Sequence, residues 1–104
     1  NGFAKGVDDS PERYADRETK LKYVVHAETN AVSFATQSLR NSTIYTWPFP
    51  SCSRCSSMLI NVGIKRCVAP PMSDELKARW GDDIECSKTM FGEAGVQFDI
   101  VELP

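Results

Sequence analysis

The chain has 104 residues, enough for one domain of ordinary size and too few for two full-sized ones. Apolar residues make up 41% and charged residues 25%, a globular composition that excludes a disordered chain. Twelve Lys and Arg against fourteen Asp and Glu leave a net charge of −2 and a pI near 5.3, which disfavours non-specific binding of nucleic acid. Residues 1–20 carry Gly, Pro and many charges and predict a solvated loop that turns helical late, with Asp16 as its cap. Val24, Ala27, Ala31, Phe34, Ala35 and Leu39 recur at three- and four-residue steps, so residues 24–39 predict one amphipathic helix, broken at Asn41-Ser42. Thr43–Trp47 predicts a short buried strand that Pro48 and Pro50 end. Ser53–Val62 predicts a helix with Cys55, Met58, Leu59 and Val62 on one face and Gly63 as its stop. Ile64–Ala69 predicts a second strand, closed by Pro70-Pro71. Ser73 is placed to cap a helical turn carrying Asp74 and Glu75. Asp82–Ala94 predicts a further helix containing Ile84, Met90 and Phe91, with Gly95 after it, and Val96–Val101 a last strand. Helix and strand alternate, so the expected fold class is α/β with a largely parallel sheet and right-handed crossovers.

The chemistry concentrates at two places. One is Val24-Val25-His26-Ala27-Glu28, which holds the single histidine; the other is Ser51-Cys52-Ser53-Arg54-Cys55. Each falls at a predicted helix start, and in an α/β sheet ligands gather outside the strand ends, where two such starts can meet. His26, Cys52 and Cys55 then offer one nitrogen and two sulfurs, and three protein ligands leave a fourth tetrahedral position for water, as in a catalytic zinc site. Glu28 lies two residues past the histidine and is left to handle protons rather than bind metal. A structural four-cysteine site with Cys67 and Cys86 lacks the second close pair of a zinc ribbon. Those two cysteines are therefore expected to be small buried hydrophobes. Trp80 and Phe91 are expected in the core.

H-x-E followed by P-C-x-x-C is the signature of zinc-dependent nucleobase deaminases. The chain resembles that superfamily, and within it the deoxycytidylate (dCMP) deaminases. Asn1-Gly2-Phe3 with Gly6-Val7-Asp8-Asp9-Ser10-Pro11-Glu12-Arg13 is similar to the loop after the family's second strand. The run from Val25 to Val32 is similar to its metal-binding helix. Cys52–Cys55, Leu59–Arg66, Arg79-Trp80-Gly81 and Met90–Val96 extend the likeness over nearly the whole chain. Two positions depart from the pattern: Ser51 stands where the family has Pro before the first cysteine, and the family's helix and two strands ahead of the Asn-Gly loop are not in this sequence.

The resemblance implies a cytidine-deaminase-like α/β/α sandwich around a central mixed, mostly parallel sheet, here without the N-terminal helix and first two strands. It implies one domain over residues 1–104 and one Zn2+ per chain on His26, Cys52 and Cys55. The implied reaction is hydrolytic deamination of a cytosine nucleotide, dCMP to dUMP and ammonia, with Glu28 as the proton shuttle. Asn1 is expected to contact the sugar and Phe49 either to wall the base pocket or to pack in the core. Ser51 completes the expected contact set beside Cys52. The backbone N–H groups of Ala27 and Cys52, at helix starts, are expected to donate to the base. Arg13, Lys20 and Lys22 are candidates for the phosphate. Alternatives are a nucleoside or RNA-base deaminase of the same superfamily, and a degenerate zinc module kept for assembly, which has no use for Glu28. No stretch reaches the ~18 apolar residues of a membrane span. No basic-then-apolar leader opens the sequence, so a cytoplasmic location is expected. An open sheet edge and an uncovered face predict a homo-oligomer or a neighbouring chain that covers them.

Overall fold

The structure is a computed structural model that describes residues 1–102. Backbone packing groups them into two compact units, Asn1–Phe34 and the part from Ala35 on.

The first unit holds β1 (Gly2–Phe3), α1 (Pro11–Ala15), α2 (Arg17–Tyr23), β2 (Val24–Val25) and α3 (Ala27–Ser33). Pro11 opens α1, where its missing N–H has no intrahelical partner to lose. Asp16 caps α2 as expected, its carboxylate accepting the Thr19 N–H at 3.3 Å. The rest of the expected solvated loop is more ordered than its charge suggests, because β1 pairs antiparallel with β2, Gly2 opposite Val25 and Phe3 opposite Val24. Phe3 stacks on Tyr14 at 4.3 Å between centroids and lies 5.6 Å from Tyr23, and the Arg13 guanidinium sits 4.4 Å over the Tyr23 ring. This pairing corrects the expected helix over residues 24–39. Val24 and Val25 form a strand, α3 ends at Ser33, and Phe34, expected on the apolar face, is exposed. A β-branched pair suits a ladder better than a helix interior, and its partner strand lies far back in the chain, outside any periodicity window.

The second unit holds β3 (Thr43–Tyr45), α4 (Ser53–Asn61), β4 (Arg66–Ala69), α5 (Asp74–Ala94) and β5 (Gln97–Ile100). The strands form a parallel sheet in the order β3-β4-β5. Both connections step the same way across it, so crossovers of one hand bring α4 and α5 to the same face, where they pack on each other. Ile44, Cys67 and Phe98 lie in one row of the register, and Phe98 meets Phe91 of α5 at 5.9 Å. Leu59, Ile64, Cys67, Ile84 and Phe91 are buried there and form the core.

Two expectations change in this unit. The strand expected over Thr43–Trp47 stops at Tyr45, and Tyr45 and Trp47 are exposed rather than buried. β3 is an edge strand of this sheet among the described residues, and Ile44 is the one of its three residues that is not exposed. The second change concerns the helix expected from Asp82. One helix of 21 residues runs from Asp74 to Ala94, straight through Gly81. Ser73 caps it by accepting the Leu76 N–H at 3.2 Å, and Gly95 ends it in the left-handed conformation at φ 76°. Ile84, Ser87 and Phe91, all buried on one stripe, hold the helix to the core and outweigh the ~1 kcal/mol that an interior glycine costs. A Cβ at Gly81 meets no atom within 4 Å. Gly81→Ala is therefore expected to stabilise the chain by ~0.4–1 kcal/mol, read as a higher urea midpoint at unchanged m-value.

On the other face of the sheet, Arg66 Nε donates to Asp99 at 2.7 Å and Gln97 Nε2 donates to the same oxygen at 2.8 Å. Arg66 holds the Asp99 carboxyl below its ordinary value. Tyr45, Trp47, Val68 and Val101 line an apolar cavity of about 390 Å³ on this side. No helix among the described residues is long and apolar enough to cross a membrane.

Candidate metal centre and active site

His26 and Cys52 occupy equivalent places in the chain. Each is the residue just before a helix, His26 ahead of α3 and Cys52 ahead of α4, with extended backbone at φ −65° and ψ 149° or 166°. Neither caps its helix with its side chain. Cys55 is the third residue of α4 and is buried. The ligand atoms of His26, Cys52 and Cys55 all lie within 4.8 Å of one another. One imidazole nitrogen and two thiol sulfurs at that separation are a borderline-soft donor set that fits a single zinc ion. Glu28 is the second residue of α3, half-buried, and stands in the first turn.

Cys67 and Cys86 lie outside this group. Cys67 sits in mid-strand of β4 under the helices, and burial pushes its thiol up to about 11, so it stays a neutral core hydrophobe as expected. Cys86 corrects the expectation of burial, because it is exposed on the outer side of α5. Zinc content of one per chain is expected to survive both Cys67→Ala and Cys86→Ala, measured by elemental analysis of desalted protein.

The remaining expected contacts are arranged as follows. Asn1 Oδ1 accepts the Ala27 N–H at 2.7 Å, so Asn1 supplies the cap that His26 does not. The Ala27 N–H, expected to donate to the base, is engaged by this bond. Phe49 is half-buried and stacks on Trp80 at 5.8 Å and 28° between planes. Arg13, besides lying over Tyr23, donates to the Asp8 carbonyl at 2.8 Å, while Lys20 and Lys22 are exposed in the last turn of α2. Ser51 is 3% exposed. Its carbonyl accepts the Ser87 hydroxyl at 2.8 Å and the Ser56 hydroxyl at 3.3 Å, and its own Oγ has no hydrogen-bond partner among the described residues.

Asp83 and Ser87, both on α5, are missed by sequence reasoning. Asp83 Oδ2 accepts the Ser53 N–H at 2.8 Å and Asp83 Oδ1 accepts the Ser53 hydroxyl at 2.6 Å. One signal was available: α4 opens with no acidic residue in its first turn, so its orphan N–H groups need a partner from elsewhere.

A family model described as the cytidine and deoxycytidylate deaminase zinc-binding region matches residues 2–70. The chain belongs to this family of zinc-binding deaminases, and His26, Cys52 and Cys55 form a cluster that fits its one zinc ion. Among named relatives, the chain is 37% identical over 97 residues to an "Uncharacterized deaminase in luxG 3'region" of Aliivibrio fischeri, covering 93% of this chain and 65% of that one. It is 36% identical over 109 residues to a "Probable deoxycytidylate deaminase" of Caenorhabditis elegans, covering 100% and 51% respectively. It is 33% identical over 104 residues to the "Deoxycytidylate deaminase" of Homo sapiens, covering 94% and 56%. The chain thus spans about half to two-thirds of the length of these relatives.

Proposed function

We propose that the protein is a zinc-dependent hydrolase that deaminates a cytosine nucleotide, dCMP and water giving dUMP and ammonia, within a single catalytic domain. The observation that carries this reading is the meeting of one imidazole and two thiols with Glu28 two residues beyond the imidazole. Relatives named as deoxycytidylate deaminases support the substrate class. Zinc, when bound, supplies Lewis acidity that makes a water-derived nucleophile available near neutral pH. Glu28 takes a proton from the attacking water and delivers it to N3 of the ring as the new bond to C4 forms. It then carries the remaining proton of the added hydroxyl to the exocyclic nitrogen, so that the C4–N bond breaks as the C4 carbonyl forms and ammonia leaves. No structural zinc site needs such a carboxylate.

The neighbouring residues have supporting parts in this reading. Ala27 acts through its N–H, which fixes the Asn1 carboxamide for a sugar hydroxyl. Phe49, backed by Trp80, walls the base, and Ser51 sets the loop ahead of Cys52. Two thiol ligands must stay reduced, which supports a reducing compartment such as the cytoplasm for the working protein. Ammonia release from dCMP, cytidine, dCTP and adenosine, assayed side by side on zinc-loaded protein, tests the reading. Turnover of dCMP above the rest is expected. Preference for cytidine or adenosine replaces the substrate, and release from none of the four leaves only a zinc-binding module.

The exposed Tyr45, Trp47 and Val101 around the apolar cavity support assembly with further copies. Sedimentation is expected to give a multiple of 11.6 kDa. An active, well-folded species at the single-chain mass rules the assembly out.

A further inference from the structure

We propose that Asp83 is a positioning residue for the metal centre: from α5 it clamps the first turn of α4 and so holds Cys52 and Cys55 in ligating geometry. This inference rests on the zinc reading of His26, Cys52 and Cys55. A C-x-x-C pair can grip one ion only if the residue before the helix and the third residue within it keep a fixed relation, which is to say only if the first turn does not fray. Local bonds hold that turn in part, the Cys52 carbonyl accepting the Ser56 N–H at 2.8 Å and the Ser51 carbonyl the Ser56 hydroxyl at 3.3 Å, but neither engages the Ser53 N–H. Cys52 gives no side-chain cap, and the first turn contains no acidic residue.

The clamp comes from thirty residues away in sequence. Both oxygens of Asp83 are used on Ser53, one on its N–H at 2.8 Å and one on its hydroxyl at 2.6 Å. One helical turn further along α5, the buried Ser87 donates to the carbonyl of Ser51 at 2.8 Å. Cys52 is therefore flanked on both sides by residues tied to the same helix. That helix is itself anchored, since Ile84 and Phe91 are each 1% exposed. Asp83 is not part of the group of ligating atoms, so it acts on the metal only through the backbone that carries the two sulfurs. The carboxylate also meets the positive end of α4, where an anion is favoured.

The test is zinc affinity, read by competition with a chromophoric chelator. It is paired with the thiolate-to-cobalt charge-transfer spectrum of Co2+-loaded protein and the melting temperature of the metal-free chain. Asp83→Ala is expected to weaken zinc binding by ~10–100-fold, the range for residues that orient metal ligands, and to alter the cobalt spectrum. Asp83→Asn keeps an oxygen to accept the Ser53 N–H and is expected to recover most of the affinity. Asp82→Ala, at the exposed neighbour, is expected to change neither. A lowered melting temperature with unchanged zinc affinity and cobalt spectrum makes Asp83 merely structural and overturns the proposal. Where Asp83→Ala does not fold, Ser53→Ala removes the hydroxyl arm of the clamp alone; weakened zinc binding in that variant supports the proposal, and unchanged binding overturns it. An unsubstituted chain that fails to bind zinc overturns the metal-site reading itself, whereas tight binding unaffected by the variants overturns only the role of Asp83.

Discussion

Glu28→Gln is expected to retain one zinc per chain and to lose turnover by at least ~10²–10⁴-fold, the usual worth of a general acid–base group. The upper end is expected, because in the proposed mechanism one carboxylate serves the water, N3 and the departing amine in succession. The substitution is nearly isosteric and leaves His26, Cys52 and Cys55 in place, so zinc content and melting temperature serve as controls in the same preparation. The amide keeps an acceptor oxygen and can still orient water, but it cannot take up a proton at neutral pH. A loss confined to kcat therefore assigns Glu28 to proton transfer, and undiminished turnover assigns the proton transfers to another group.

Cys52→Ser is expected to abolish zinc binding at stoichiometric metal while leaving α4 intact. Serine is among the best residues at the position before a helix, and Cys52 does no capping with its sulfur, so the helix start gains rather than loses a cap. The loss of affinity is expected to exceed the ~10–100-fold typical of residues that merely orient ligands, because a soft thiolate donor is replaced by a neutral hydroxyl. Elemental analysis after desalting reads the zinc, and far-ultraviolet circular dichroism reads the helix. His26→Ala is expected to give the same zinc loss. Full zinc content in both variants removes the three-ligand site, and with it the deaminase mechanism.

The ligand set was legible in the sequence for a definite reason. His26 and Cys52 each stand immediately before a helix, and Cys55 follows within the same turn, so the donor geometry is carried by short-range backbone rules. Local pattern likewise located α4, the Ser73 cap and the Gly95 stop, because caps and stops depend on the conformations open to single residues. Other features depend on partners distant in the chain. Val24-Val25 became a strand because Gly2-Phe3 pairs with it, and Gly81 stayed helical because Ile84 and Phe91 bury the helix on the core. Thr43–Trp47 reads as a buried strand by residue type, yet Trp47 lies past the end of β3 and is exposed. The clamp of Asp83 and Ser87 on Ser51–Ser53 is invisible to any local rule, since the carboxylate and the N–H it caps are thirty residues apart. Donor chemistry and helix ends were thus determined by the sequence alone, because both are set within a few residues. Which strands pair, which aromatic rings are covered and what steadies the metal-binding turn were decided only by the tertiary structure, because each depends on a contact that forms only once the chain has folded.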